Sequence, residues 1–168
     1  LQNLTNENLD AIKFYHLIKG DLGEVPDVII SATGYTGSGG FELYVKNKDA
    51  ETLWNLLFEV GQEYELEPAG LAARDTLRLE MGYCLYGNEI DETTSPIAAG
   101  LAWVTKFSKN CVGMDKILSD KENGTEYKLI AFELLERGIP RKDYSIINTK
   151  NEVVGRVTSG TMSPSTQK

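Results

Sequence analysis

The chain has 168 residues, of which 41% are hydrophobic and 25% are charged, an ordinary composition for one globular domain or slightly more. Its net charge is −8: residues 1–100 carry 17 acidic and 6 basic side chains, whereas residues 101–168 carry 8 and 11. The acidic first part argues against nucleic acid as a partner, because a phosphate backbone is bound through a basic surface. No membrane partner is expected either, since no apolar run approaches the ~20 residues of a membrane span and no basic amphipathic helix is present.

Few residues are suited to metal or nucleophilic chemistry. Cys84 and Cys111 stand far apart without CxxC spacing, which favours a reducing compartment, either a bacterial cytoplasm or a mitochondrial matrix. His16 is the single histidine, and we expect it to be a buried or half-buried packing residue. Neither a metal site nor a Ser-His-Asp arrangement is therefore indicated.

Hydrophobic periodicity predicts alternating strands and helices in the first part of the chain and strands in the last part. After a polar start at 5–10, whose continuation could be helix or strand, the predicted elements are a buried strand at 28–30, an alternating strand at 41–45, helices over 49–64 and 71–81, a strand at 101–107, a short helix at 112–118, and strands at 128–136 and on both sides of a turn at 148–151. The polar stretch Ser119–Glu126 is the predicted linker. We therefore expect an α+β domain over 1–118, an antiparallel sheet with packed helices (ferredoxin-like), followed over 119–168 by the start of an all-β barrel domain.

The glycine-rich stretch GYTGSGG, residues 34–40, is predicted to be a hairpin loop rather than a phosphate cradle. Phe41 stands where a P-loop needs lysine, and Glu42 occupies the third glycine position of the dinucleotide fingerprint. A strand follows in place of a helix, so no helix N-terminus is available for phosphate. Glycines 37, 39 and 40 are expected to supply positive φ for a tight return between two strands.

Polar residues around this loop and on the second helix leave two interpretations open. Glu42 is either a solvated strand residue or a carboxylate that accepts two parallel hydrogen bonds from a flat amino-heterocycle, guanine-like or pterin-like. Arg74 and Arg78 lie four apart on one helix face and either pair with neighbouring carboxylates or hold an anionic ligand. Tyr83 follows the helix and either packs in the core or stacks on a ring.

Three stretches together resemble one family: SATGYTGSGGFELYV, GLAARDTLRLEMGYCLYGNEIDETTSPIAAGLAWVTKF and GRVTSGTMSPS are similar to the aminomethyltransferase of the glycine cleavage system, its T-protein. The resemblance implies a three-domain, tetrahydrofolate-dependent enzyme. Such an enzyme takes the aminomethyl group from the lipoyl arm of the H-protein, releases ammonia and forms 5,10-methylenetetrahydrofolate.

Site residues follow from the resemblance, position by position. The motif glutamate that recognises the pterin matches Glu42, and the family's folate-site residues match Tyr35, Arg74 and Tyr83, while Arg78 is expected to be structural. The family often has acidic residues where this chain has Ser38 and Gly39, which is expected to alter loop flexibility more than chemistry. The family's catalytic aspartate falls in a segment before the first residue, and a further arginine falls after the last. We therefore expect a fragment that contains no catalytic residue and is inactive alone.

Three alternatives are weighed against the transferase. Folate-binding relatives that assist iron–sulfur cluster assembly carry KGCYxGQE where this chain has GYCLYGNE, with Leu85 and Asn88 at the differing positions. The T-protein-like domain of dimethylglycine or sarcosine dehydrogenases shares the folate residues and is separated only by an upstream flavin domain. A non-enzymatic interaction module would bind no folate.

Overall fold

The computed structural model describes residues 1–167, which form antiparallel sheets and a few helices in two compact units, the first over residues 1–74 and the second beginning at residue 75. The elements are β1 (Leu17–Leu22), β2 (Val25–Ser31), β3 (Glu42–Tyr44), α1 (Ala50–Gly61), α2 (Leu71–Glu80), α3 (Met114–Asn123), β4 (Ser145–Ile147) and β5 (Val153–Arg156). Short 3-10 turns accompany them at Gln2–Leu4, Leu9–Ala11, Asn47–Asp49 and Gln62–Tyr64. The domain boundary at 118–119 stays a prediction.

The first unit is built on a three-stranded antiparallel sheet in the order β1-β2-β3. Side chains alternate across its strands, so one face is apolar and joins the core with α1. The buried cluster consists of Leu9, Leu22, Val25, Val28, Ile30 and Leu53, with Phe41, Leu43 and Val45 packed against it. The predicted apolar stripe of the strand at 41–45 is therefore confirmed, and the polar side chain of Glu42 is assigned to the other face.

The glycine-rich loop joins β2 to β3 as an antiparallel hairpin, as predicted. Gly37 and Gly40 have φ values of 76° and 140°, which only glycine adopts readily. Gly39 has no positive φ, so the prediction for that residue was wrong. Two glycines, rather than three, therefore provide the backbone freedom of the return.

The predicted helices are present with shifted ends. The pattern over 49–64 corresponds to α1 and a 3-10 turn, and the pattern over 71–81 corresponds to α2. The helix predicted at 112–118 extends to Asn123, so the linker prediction was wrong for its first five residues. Lys116 and Asp120 form an ion pair one turn apart at 2.5 Å, and Gly124 ends the helix with a φ of 84°.

Two predicted strands, at 101–107 and 128–136, were wrong. The N–H of Val104 donates to Leu101 O, and the Thr105 hydroxyl donates to the same carbonyl at 3.0 Å, so local turns replace a strand ladder there. Residues 128–136 lie outside any strand: the N–H of Leu129 donates to Ala98 O at 2.8 Å, but no ladder with another strand forms, and an apolar run becomes a strand only where another strand pairs with it. The hairpin between β4 and β5 is confirmed, with Asn148 Oδ1 accepting backbone N–H groups across its turn.

Two further expectations meet the structure directly. His16 is exposed rather than buried, and its Nδ1 lies 3.1 Å from Phe14 O, so its predicted packing role was wrong. Within residues 1–167, no helix combines the length and apolar character needed to cross a membrane.

Candidate functional site

Glu42 is placed by the register of the β2–β3 hairpin. It is the cross-strand partner of Ser31, and its half-buried side chain accepts a hydrogen bond from the Thr33 hydroxyl through Oε2. Thr33 Oγ1 also lies 2.9 Å from Ser31 Oγ. Three oxygen-bearing side chains, those of Ser31, Thr33 and Glu42, therefore gather at the loop end of the sheet. The carboxylate therefore has a defined orientation.

Tyr35 and Arg74 are in contact although 39 positions separate them in sequence. The guanidinium carbon of Arg74 lies 4.6 Å from the centre of the Tyr35 ring, a distance typical of a cation–π interaction. Tyr35 belongs to the glycine-rich loop and is half-buried, while Arg74 belongs to α2 and is exposed. The first unit thus contains three of the four predicted folate-site residues, and two of these three touch.

Tyr83, the fourth predicted residue, belongs to the second unit. It follows α2 directly, its side chain is 37% exposed, and its carbonyl accepts a hydrogen bond from Arg78 Nη1 at 2.9 Å. Its backbone is thereby held against the end of α2.

Arg78 is the centre of a buried polar network within the second unit. Its side chain is 0% exposed and donates to Asp75 Oδ1 at 2.8 Å, Glu89 Oε2 at 2.8 Å and Ser159 Oγ at 2.7 Å. Burial opposes the charge, but the hydrogen bond to Asp75 and the charge of Glu89 raise the pKa of Arg78. Arg78 is fully occupied by protein partners, so its predicted structural role agrees with its surroundings.

Glu89 completes this network as a nearly buried carboxylate, 8% exposed. Its Oε2 also accepts the N–H of Leu85 at 2.9 Å. Burial opposes its ionised form, yet hydrogen bonds from Ser159, Leu85 and Thr158 together with the charge of Arg78 lower the pKa of Glu89. Its close neighbour Cys84 has a raised pKa, first because of burial and then because of the Glu89 charge, which disfavours a thiolate nucleophile.

The arrangement in the first unit suits binding and orientation of a flat, polar ring. A carboxylate with about four lone-pair positions can accept from Thr33 and still accept two parallel N–H groups of a ligand. A half-buried tyrosine carrying a guanidinium supplies an aromatic surface and a positive charge. Among residues 1–167, no group of three or more His, Cys, Asp or Glu side chains is placed to hold a metal ion.

Two residues with polar contacts in these sites, Thr33 and Ser159, were not predicted from the sequence. Thr33 lies two residues beyond the end of β2, and no sequence pattern indicated its contact with Glu42 across the glycine-rich loop. Ser159 could not have been found, because its contact with Arg78 spans 81 positions with no sequence pattern between them.

Comparisons with known proteins identify the family to which this chain belongs. The GCVT N-terminal domain profile matches residues 1–109. The chain is 54% identical over 165 residues to the aminomethyltransferase of Flavobacterium psychrophilum, covering 98% of this chain and 46% of that protein. It is 53% identical over 171 residues to the aminomethyltransferase of Porphyromonas gingivalis, covering 100% of this chain and 47% of that protein.

A solved structure agrees with these sequence relatives. The glycine cleavage system aminomethyltransferase T from Bartonella henselae superposes with a TM-score of 0.84 at 31% identity, covering 94% of this chain and 43% of that chain. The chain thus shares the fold of that aminomethyltransferase over nearly all of its own length. The chain belongs to the GCVT N-terminal domain family, and it spans about half the length of the curated relatives that it matches.

Proposed function

We propose that the chain is the folate-binding part of an aminomethyltransferase of the glycine cleavage system. That reaction takes an aminomethyl group from a lipoylated H-protein, releases ammonia and forms 5,10-methylenetetrahydrofolate. The observation that supports the proposal lies at the loop end of the first sheet. There the Glu42 carboxylate accepts a hydrogen bond from Thr33, and the guanidinium of Arg74 lies over the Tyr35 ring. Relatives above 50% identity that are named aminomethyltransferase support it.

The residues at this site fit tetrahydrofolate. The pterin ring bears an amino group beside a ring N–H, and a carboxylate such as Glu42 can accept both together. Arg74 carries a positive charge at the exposed surface beside Tyr35, which suits the carboxylates of the folate glutamate tail. Tyr83 is the fourth residue proposed to contact the folate.

The contribution of these side chains is placement. When bound, tetrahydrofolate supplies the ring nitrogen that accepts the one-carbon unit. Glu42 would fix the ring in its plane, while Tyr35 and Arg74 would fix its position along the loop. Positioning of a reactant can contribute ~7 kcal/mol or more, because the loss of translational and rotational freedom occurs before the reaction.

The finer fold assignment belongs to the same proposal. We infer a ferredoxin-like α+β domain over 1–118, and a partial β-barrel domain over 119–168 in which β4 and β5 form one hairpin. The match of the family profile to residues 1–109 supports the first part.

Calorimetric titration with 5-formyltetrahydrofolate tests the function. We expect the complete gene product to bind it and Glu42→Ala to weaken binding at least ~30-fold, because a desolvated, charged hydrogen-bond acceptor is lost. Glu59→Ala, an exposed glutamate on α1, is the matched control and should leave the dissociation constant unchanged. An unaltered affinity in Glu42→Ala would contradict the proposal.

Turnover distinguishes this function from other folate-binding roles. Aminomethyl-loaded H-protein and tetrahydrofolate should together yield ammonia and 5,10-methylenetetrahydrofolate in equal amounts. Folate binding without this turnover in the complete gene product would favour a folate-binding protein that is not a transferase.

A further inference from the structure

We propose that Thr33 is a positioning residue that sets the orientation of the Glu42 carboxylate for pterin recognition. The inference rests on the proposed folate-binding function and adds to it a residue that acts through another. Its starting observation is the hydrogen bond from the Thr33 hydroxyl to Glu42 Oε2.

The backbone fixes the spacing of this pair. Antiparallel pairing puts Ser31, the last residue of β2, opposite Glu42, the first residue of β3, and Thr33 follows two residues after the end of β2. The glycine-rich loop begins directly after Thr33 and returns to Glu42, with Gly40 at a φ of 140° close to the end of the return. The Thr33 hydroxyl, just before the glycine-rich loop, therefore lies next to the carboxylate of Glu42, just after the loop.

Proton bookkeeping gives the contact its direction. A hydroxyl has one proton, and an ionised carboxylate can only accept, so the Thr33 proton is directed to Glu42. Thr33 Oγ1 also lies 2.9 Å from Ser31 Oγ, so Ser31 is a second oxygen neighbour of the same hydroxyl. Ser31 is 6% exposed, so these oxygen atoms extend from the protein interior to the half-buried carboxylate of Glu42.

The hydrogen bond from Thr33 to Glu42 has a consequence for ligand binding. A glutamate side chain has three rotatable bonds, and recognition of two parallel N–H groups requires its carboxylate plane to match the ring plane. A hydroxyl bound to Oε2 restricts rotation of that plane before the ligand arrives, which lowers the entropy cost of binding. Thr33→Val keeps nearly the same side-chain shape and volume but has no hydroxyl, so it removes the restraint on the Glu42 carboxylate.

The test is a double-mutant cycle on the complete gene product, with 5-formyltetrahydrofolate affinity as the readout. We expect Thr33→Val to weaken binding by about tenfold, the equivalent of one charge-assisted hydrogen bond. Thr33→Ser should restore affinity to within about twofold, because it keeps the donor. Thr52→Val, on α1, is the matched control for loss of a threonine hydroxyl and should bind like the wild type.

The cycle separates this inference from the function on which it rests. Because Thr33 acts through Glu42, adding Thr33→Val to Glu42→Ala should cause no further loss. An unchanged affinity in Thr33→Val, or an equal loss in both backgrounds, would overturn the positioning role while a weak Glu42→Ala variant still upholds folate recognition. Full affinity in Glu42→Ala would overturn both.

Discussion

The guanidinium carbon of Arg74 lies 4.6 Å from the centre of the Tyr35 ring, which joins the first turn of α2 to the glycine-rich loop within the first unit. The contact holds an exposed positive charge over an aromatic ring. Four residues further along the same helix, Arg78 is completely buried and bound by four protein groups. Two arginines on one helix face therefore have different roles, one suited to a ligand and one to stability.

The Tyr35–Arg74 contact predicts graded effects on folate affinity. Tyr35→Phe keeps the aromatic face and should bind nearly normally if the ring is what matters, whereas Tyr35→Leu should weaken binding about threefold to tenfold. Arg74→Ala should weaken binding by roughly tenfold, and Arg74→Lys should recover only part of it, because an ammonium lacks the planar face of the guanidinium. The measurement is calorimetric titration with 5-formyltetrahydrofolate. Equal affinities for Tyr35→Leu and the wild type would rule out a role for the ring.

The buried network predicts a large stability difference between the two arginines. Arg78→Met should lower the free energy of unfolding by about 3–5 kcal/mol, because Glu89 is then left buried without its charged partner. Arg74→Ala should change it by no more than about 0.5 kcal/mol, as expected of an exposed side chain. Urea unfolding followed by circular dichroism measures both.

The same network offers an internal control. Adding Glu89→Gln to Arg78→Met removes the unpaired charge and should recover part of the lost stability. A double variant less stable than Arg78→Met alone would show that Glu89 stabilises the fold independently of Arg78.

The glycine-rich loop predicts opposite outcomes for two neighbouring glycines. Gly40→Ala should destabilise the protein by about 1–3 kcal/mol, because a φ of 140° is strained for any residue with a Cβ atom. Gly39→Ala should be neutral or stabilising by up to ~1 kcal/mol, since its φ is not positive and open space surrounds its Cα. Urea midpoints of the two variants test this, and equal midpoints would contradict the assigned backbone conformations.

The environment of Asp91 predicts that the free energy of unfolding depends on pH in the acid range. Hydrogen bonds from the Thr94 hydroxyl and from the hydroxyl and N–H of Thr93 lower its pKa to about 2. A folded-state pKa below the unfolded value of about 3.9 gives stability that is present above pH 4 and is lost as the pH falls toward 2.

Asp91→Asn isolates this contribution. Its amide oxygen can still accept the same hydrogen bonds but does not titrate between pH 5 and 2. The difference in free energy of unfolding between wild type and variant should therefore shrink as the pH falls from 5 to 2. A difference that stays constant across this range would show that Asp91 has an ordinary pKa in the folded state.

Local patterns were sufficient where the chain pairs with its own neighbours. Strand 28–30, the glycine-rich loop and strand 41–45 lie next to one another in sequence, so alternation and turn chemistry predicted the hairpin that carries Glu42. The same holds for α1, α2 and the β4–β5 hairpin, whose periodicity and turn residues are contained within short windows. The family resemblance predicts that Tyr35, Glu42, Arg74 and Tyr83 contact folate, and this stays a prediction.

Tertiary structure decided everything that depends on distant partners. Residues 101–107 and 128–136 have strand-like composition, but a strand needs a paired neighbour and the sequence does not say whether one is present. Spacing alone made Arg74 and Arg78 equivalent, and the family resemblance predicted different roles for them. Their actual partners, Tyr35 for Arg74 and Glu89 with Ser159 for Arg78, come only from the tertiary structure. The sequence by itself therefore determined the helices, the two hairpins and the family. The tertiary structure decided which strand-like segments are paired and which charged side chains are buried, because pairing, burial and partner distance depend on residues far away in the chain.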